Sequence, residues 1–265
     1  MRLAETLRKM RRAGVPIVVP YLMVDRNRIR KFRPIVEALR EGGACALELG
    51  FPFTDPIADG PVLEAAAWRA LSHGTGWRDL LRACRIASSV LPTAVMTYAN
   101  PLWQEGLVSG FGELAASGAS GLIVADLSLE ESAPFRAAAR SAGLSLVLLA
   151  APGTPPARAR ALARSSRGFL YLVSRYGTTG ARALDRTADL KSIVRNARAA
   201  APNLPVLVGF GIRNRASAAR AFSAGADGVV VGTALEERLA RHPSSRELSS
   251  WIRSIYRARP ARGVS

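Results

Sequence analysis

The chain has 265 residues, 49% apolar and 22% charged, a globular composition that excludes disordered and fibrous classes. Cys45 and Cys84 are the only cysteines, which excludes a disulfide framework and fits a reducing cytoplasm, and no run approaches the ~18 apolar residues of a membrane span. The net charge of +17 is nearly all arginine; it is scattered without long like-charge blocks or interleaved aromatics, which describes a solvated surface and not a nucleic-acid groove.

Leu3, Leu7 and Met10 recur at helical spacing and predict an amphipathic first helix rather than a transit peptide. From there short apolar runs alternate with helical stretches. The strands are expected at 17–21, 44–49, 94–98, 121–125, 144–149, 168–173, 205–209 and 228–231. They are apolar throughout, as strands covered on both faces must be. Ile35, Ala38 and Leu39 mark one intervening helix, and Leu80, Leu81, Cys84 and Ile86 another. Further helices are expected at 133–142, 159–163, 193–200 and 216–224, with a closing amphipathic helix at 247–258. Gly43, Gly118, Gly143 and Gly225 stand where helices should stop. Eight such repeats predict an α/β fold, a (β/α)8 TIM barrel with an extra N-terminal helix, as one domain over 1–265. A doubly wound open sheet would want G-x-G-x-x-G after its first strand, and residues 21–25 have none.

Chemistry in such a barrel lies where strands end and βα loops begin. Glu48 ends the second strand, where an isolated carboxylate is costly to ionise. The loop that follows holds Asp55 and Asp59 among prolines and aromatics. A carboxylate on a rigid strand and another on a loop can share a pocket and work as acid and base. Equally, Glu48 can be a structural strand-end acid and Asp59 the cap of the next helix. Tyr98 and Asn100 follow the third strand, Asp126 the fourth, and Tyr171, Ser174 and Arg175 stand at the end of the sixth. Glycine clusters at 177–180, 209–211 and 232–233 close the last three strands. They suit a phosphate approached by backbone N–H groups, although turn-forming glycine alone would look similar. His73 and His242 lie away from strand ends and read as loop or helix-end residues.

The run E-L-G-x-P-F-[ST]-D-P-x-A-D-G-P is intact from Glu48 to Pro61 and resembles the signature of the tryptophan synthase α subunit family. The likeness continues in M-x-Y-x-N-P at 96–101, S-R-x-G-x-T-G at 174–180, G-F-G-I at 209–212 and G-A-D-G-V-V-V-G-[ST]-A at 225–234. It implies a cytoplasmic lyase of tryptophan biosynthesis that cleaves indole-3-glycerol phosphate to indole and glyceraldehyde 3-phosphate, with no metal or organic cofactor. By the same resemblance Glu48 is the catalytic acid/base and Asp59 binds the indole N–H. Tyr171 supports Glu48, and Thr179 belongs to a lid that positions Asp59. Gly180, Gly211, Gly232 and Thr233 bind phosphate, and Tyr21 and Phe210 form the indole pocket. The family pairs with a pyridoxal-phosphate β subunit in an α2β2 assembly, for which the loop 51–55, with Pro52 and Asp55, and the run 100–103, beginning at Asn100, are the expected contact.

The chain departs from the family pattern at 22–26, where T-x-G-D-P is usual, and at 64–68, where a Gln and small polar residues are usual. These departures keep a stand-alone indole lyase in view. A non-catalytic subunit that binds the phosphate ligand is the other alternative, and it has no need of both Glu48 and Asp59. A sugar-phosphate isomerase would place acids on the first and fifth strands, and both lack them.

Overall fold

A computed structural model describes residues 2–173 and 187–258. Eight parallel strands close into a barrel in chain order, with β8 pairing back onto β1. They are β1 (Ile17–Met23), β2 (Leu47–Gly50), β3 (Thr93–Thr97), β4 (Ala119–Val124), β5 (Ser145–Ala150), β6 (Leu170–Val173), β7 (Val206–Gly209) and β8 (Gly228–Val231). The strands fall where the apolar runs predict them, within a few residues. β2 begins at Leu47 rather than 44; ahead of it, the Cys45 N–H bonds to the Val18 carbonyl at 3.1 Å without a continuous ladder.

Strand alternation sorts the core into two layers. Ile17, Val19, Ala46, Ala94, Ile123, Val147, Phe169, Leu207 and Val230 fill the barrel. Val18, Leu22, Leu47, Leu49, Val95, Leu122, Leu170, Val208 and Val229 pack outward against helices. The first helix, α1 (Leu3–Arg12), buries Leu3 and Leu7 in the inner cluster and plugs the N-terminal mouth. Asp227, buried there, accepts the Val206 N–H at 3.0 Å, Arg198 at 3.0 Å and Arg11 at 3.1 Å.

The outer ring holds α2 (Phe32–Glu41), α3 (Pro61–Ser72), α4 (Trp77–Ser88), α5 (Ala99–Gln104), α6 (Phe111–Ala116), α7 (Ser132–Ala142), α8 (Pro156–Ser165), α9 (Thr187–Ala200), α10 (Arg215–Ser223), α11 (Thr233–Leu239) and α12 (Ser245–Tyr256). A short 3-10 helix, Arg26–Lys31, follows β1, and a π-helical turn, Gly106–Gly110, joins α5 to α6. The sequence pattern marks neither α5 and α6 nor α11. Gly143 ends α7 in the left-handed conformation, with φ of 74°, as its place after the helical pattern predicts. At the 22–26 departure, Asp25 caps the 3-10 helix by accepting the Asn27 N–H at 2.9 Å. Its carboxylate also meets His73 Nδ1 at 2.9 Å, which gives His73 the helix-end role expected of it. The 64–68 departure lies wholly in α3, with Ala66 and Ala67 buried and Trp68 exposed. No helix among the described residues is long and apolar enough to cross a membrane.

Candidate active site

β2 delivers Glu48 into the barrel, level with Tyr21 on β1 and Ala94 on β3. The side chain is fully buried, and neither carboxylate oxygen has a hydrogen-bond partner among the described residues. Burial, then the Asp59 charge, pushes its pKa up to about 8. Glu48 is therefore a buried acid whose oxygens are left free for something that enters the pocket.

Asp59 reaches the same pocket from the β2–α3 loop. Its N–H bonds to the Pro56 carbonyl at 3.0 Å, which closes a tight turn. The N-cap of α3 is Gly60, with no side-chain cap bond, and Pro61 occupies the first turn. Asp59 therefore does not cap the helix. Its carboxylate instead receives a hydrogen bond from the Tyr98 hydroxyl, while that oxygen accepts the Ala58 N–H at 3.2 Å. Burial outweighs this bond and raises the Asp59 pKa to about 6. Glu48, the deeper of the two, keeps its proton to the higher pH, so over a neutral interval one group is acid and the other anion.

Opposite the carboxylates, β6 presents Tyr171 and β7 ends at Gly209. A Cβ at Gly209 would overlap the Tyr171 hydroxyl, and one at Gly50 would overlap the Tyr21 hydroxyl. Both glycines are close-approach positions that make room for the tyrosines. Phe210 follows at φ of 61°, a strained backbone for a bulky residue. Its ring stands edge-on to Tyr171, 5.9 Å between centroids. Gly211 and the Gly232–Thr233 pair, where α11 starts, complete this side.

The structure gathers Tyr21, Glu48, Asp59, Tyr171, Phe210, Gly211, Gly232 and Thr233 around one pocket with about 390 Å³ of empty space, its open mouth included. Leu63, Met96, Ile212 and Val230 also line it. Thr179 and Gly180, like Ser174 and Arg175, lie outside the described residues. At the rim Asp55, Asn100 and Trp103 are exposed, but Pro52, Pro101 and Leu102 are buried, which corrects the expectation that the whole of both segments offers a contact face. Asp126 holds the rim by accepting the Ala99 N–H at 2.8 Å. Tyr98, which the sequence marks only as a polar residue at the end of the third strand, acquires a definite task here beside Asp59. Leu63 on α3 is a lining residue that carried no signal of its own in the sequence. A larger, open groove beside α4, lined by Arg26, Trp77, Arg78, Asp79, Arg85 and Glu113 among others, holds no buried group without a partner and is remote from the carboxylates. Among the described residues no cluster of three or more His, Cys, Asp or Glu could hold a metal ion.

A closed parallel barrel with two buried carboxylates of unequal pKa at the C-terminal ends of its strands defines a barrel enzyme of the acid–base class. Comparison with known proteins narrows the class. The family model described as tryptophan synthase alpha chain matches residues 7–256. A tryptophan synthase alpha chain from Chloroflexus aurantiacus is 40% identical over 266 residues, 97% of this chain and 98% of that one. One from Thermococcus kodakarensis is 42% identical over 228 residues, 84% of this chain and 89% of its own. The structure of tryptophan synthase from Mycobacterium tuberculosis superposes with a TM-score of 0.86 at 33% identity, covering 97% of each chain. The chain belongs to the tryptophan synthase alpha chain family, the lyase subunit that cleaves indole-3-glycerol phosphate in tryptophan biosynthesis.

Proposed function

We propose that Glu48 and Asp59 carry the cleavage of indole-3-glycerol phosphate in this chain. Breaking the C–C bond requires a proton on indole C3 and removal of the proton from the glycerol hydroxyl. Protonated Glu48 gives the first, and the carboxylate so formed takes the second, so one group serves both steps and returns to its starting state. Asp59, ionised, accepts the indole N–H and stabilises the positive charge that C3 protonation places on the ring. The Tyr98 hydrogen bond to Asp59 favours that ionised form. Tyr171 and Phe210 wall the indole, with Tyr21 on the facing strand. Gly211, Gly232 and Thr233 anchor the phosphate, together with Gly180 from the segment that also holds the lid residue Thr179. This remote grip orients the reacting bond.

The observation that carries the proposal is Glu48 itself. It is wholly buried, has no hydrogen-bond partner among the described residues, and its pKa is pushed up to about 8 within the pocket that also holds Asp59. A structural carboxylate in that position would be paired.

We further propose that the chain works in the cytoplasm, where its two buried free thiols stay reduced. Its partner is a β subunit that carries pyridoxal phosphate, in an α2β2-type assembly. Asp55 and Asn100 lie on the contact face, with the exposed Ile57, Trp103 and Val108 beside them in sequence. Purified protein incubated with indole-3-glycerol phosphate should release indole and glyceraldehyde 3-phosphate in equal amounts, unaffected by EDTA. Absence of indole, with and without a β subunit, would overturn the proposal.

A further inference from the structure

Glu236 is a buried carboxylate that the cleavage chemistry does not use. It sits on the first turn of α11, with its side chain 1% exposed. Its Oε1 accepts the Met23 N–H at 2.9 Å and Arg28 Nη1 at 2.9 Å. Its Oε2 accepts the same Arg28 nitrogen at 3.0 Å and stands 4.0 Å from Arg69 Nη2. Arg28 is itself largely covered, at 15% exposed. A buried ion pair of this kind adds little net stability over an apolar pair of the same volume; what it fixes is a mutual arrangement.

The elements tied here are those that build the pocket. β1 ends at Met23 and carries Tyr21. Arg28 lies in the 3-10 helix after β1. Arg69 lies on α3, which begins two residues after Asp59 and brings Leu63 to the pocket wall. Glu236 is three residues beyond Thr233, where α11 begins.

We propose that Glu236 is a positioning residue. With Arg28 it holds the start of α11 at a fixed distance from β1 and from the Asp59 segment. The backbone of Gly232 and Thr233 then grips the substrate phosphate while the reacting carbon lies against Glu48. This rests on the phosphate role proposed for Gly211, Gly232 and Thr233. It makes the pair a determinant of selectivity for phosphorylated over unphosphorylated substrate, although neither residue lines the pocket.

The reverse condensation tests it, because indole can be offered D-glyceraldehyde 3-phosphate or plain D-glyceraldehyde. Glu236→Gln keeps the volume and an acceptor for the Met23 N–H but removes the charge. The Arg28→Leu/Glu236→Leu double variant removes both charges and leaves no buried ion unpaired. Both should lose about tenfold or more in kcat/KM with the phosphorylated aldehyde, mainly through KM, and stay within about twofold of wild type with the unphosphorylated one. Variants that melt at lower temperature yet keep the wild-type preference would overturn the inference, as would equal losses on both aldehydes. A wild-type enzyme without a preference would overturn the phosphate reading and this inference together.

Discussion

Glu48 occupies an environment that favours its neutral form, and two consequences follow at the scale of that single residue and its partner. The first is catalytic. If cleavage needs Glu48 protonated and Asp59 ionised, kcat/KM of the free enzyme is bell-shaped, rising near pH 6 and falling near pH 8. Asp59→Asn removes the acid limb and lowers turnover by about 10²–10³-fold. It also moves the alkaline limb to lower pH, because the Asp59 charge is one of the two causes that raise Glu48. A pH profile in which the alkaline limb stays in place would show that the two groups do not interact. The second consequence is thermodynamic. A carboxyl raised from 4.5 to about 8 on folding binds its proton more tightly in the native state. Its contribution is fully present below pH 4.5 and is lost as pH rises towards 8, at up to about 1.4 kcal/mol per pH unit. Glu48→Gln has no proton to lose, so urea melts of the variant relative to wild type should show it gaining stability between pH 5 and pH 8.5. A constant difference between the two proteins over that interval would contradict the burial argument.

Among the elements, α1 has a structural task separate from the chemistry. Leu3 and Leu7 are fully buried at the N-terminal mouth of the barrel, the far end from the pocket. Leu7→Ala should cost about 2–5 kcal/mol and leave KM unchanged, a split that denaturant melts and steady-state assays resolve together. A raised KM at unchanged stability would mean that the plug communicates with the pocket. The strands were legible in the sequence because burial on both faces leaves only apolar runs, as in Val229-Val230-Val231. The helices of the β3–β4 connection were not legible. α5 and α6 have six residues each, Pro101 lies in the first, and Gly106 and Gly110 bound the turn between them. α11 was hidden because its first residues read as a phosphate loop. At the site, Glu48 stood out as a charge in an apolar strand. Tyr98 was visible as a strand-end residue, but its task was not, because it meets Asp59 only when the β2–α3 loop folds over β3. Glu236 likewise reads as one of two adjacent acids on a short helix, and only the tertiary fold brings Met23 and Arg28 to it. Local pattern finds groups that violate their own element; it cannot find groups whose partners come from elsewhere in the chain.

On the scale of the whole molecule, the charge and the exposed apolar surface are distributed differently. Most arginines lie on the outer ring, some paired with acids, as in Arg158–Glu130 and Arg213–Glu237. Ile57, Trp103 and Val108 expose large apolar side chains on the loops and short helices that follow β2 and β3. The Asp59 segment lies between Ile57 and α3, so a partner seated there would bear directly on the placement of Asp59. We expect indole release to rise across a β-subunit titration, since a partner that favours the competent loop arrangement gains tenfold in active fraction for each ~1.4 kcal/mol of differential binding. A flat response with high activity from the first point would indicate a self-sufficient lyase. The central claim concerns a single proton-carrying group, and one variant addresses it most directly. Glu48→Gln keeps the shape of the side chain but cannot donate a proton to indole C3 or take one from the glycerol hydroxyl. Indole release by the folded variant, assayed at saturating indole-3-glycerol phosphate, should fall by about 10²–10⁴-fold with substrate binding retained; turnover within a few-fold of wild type would contradict the account.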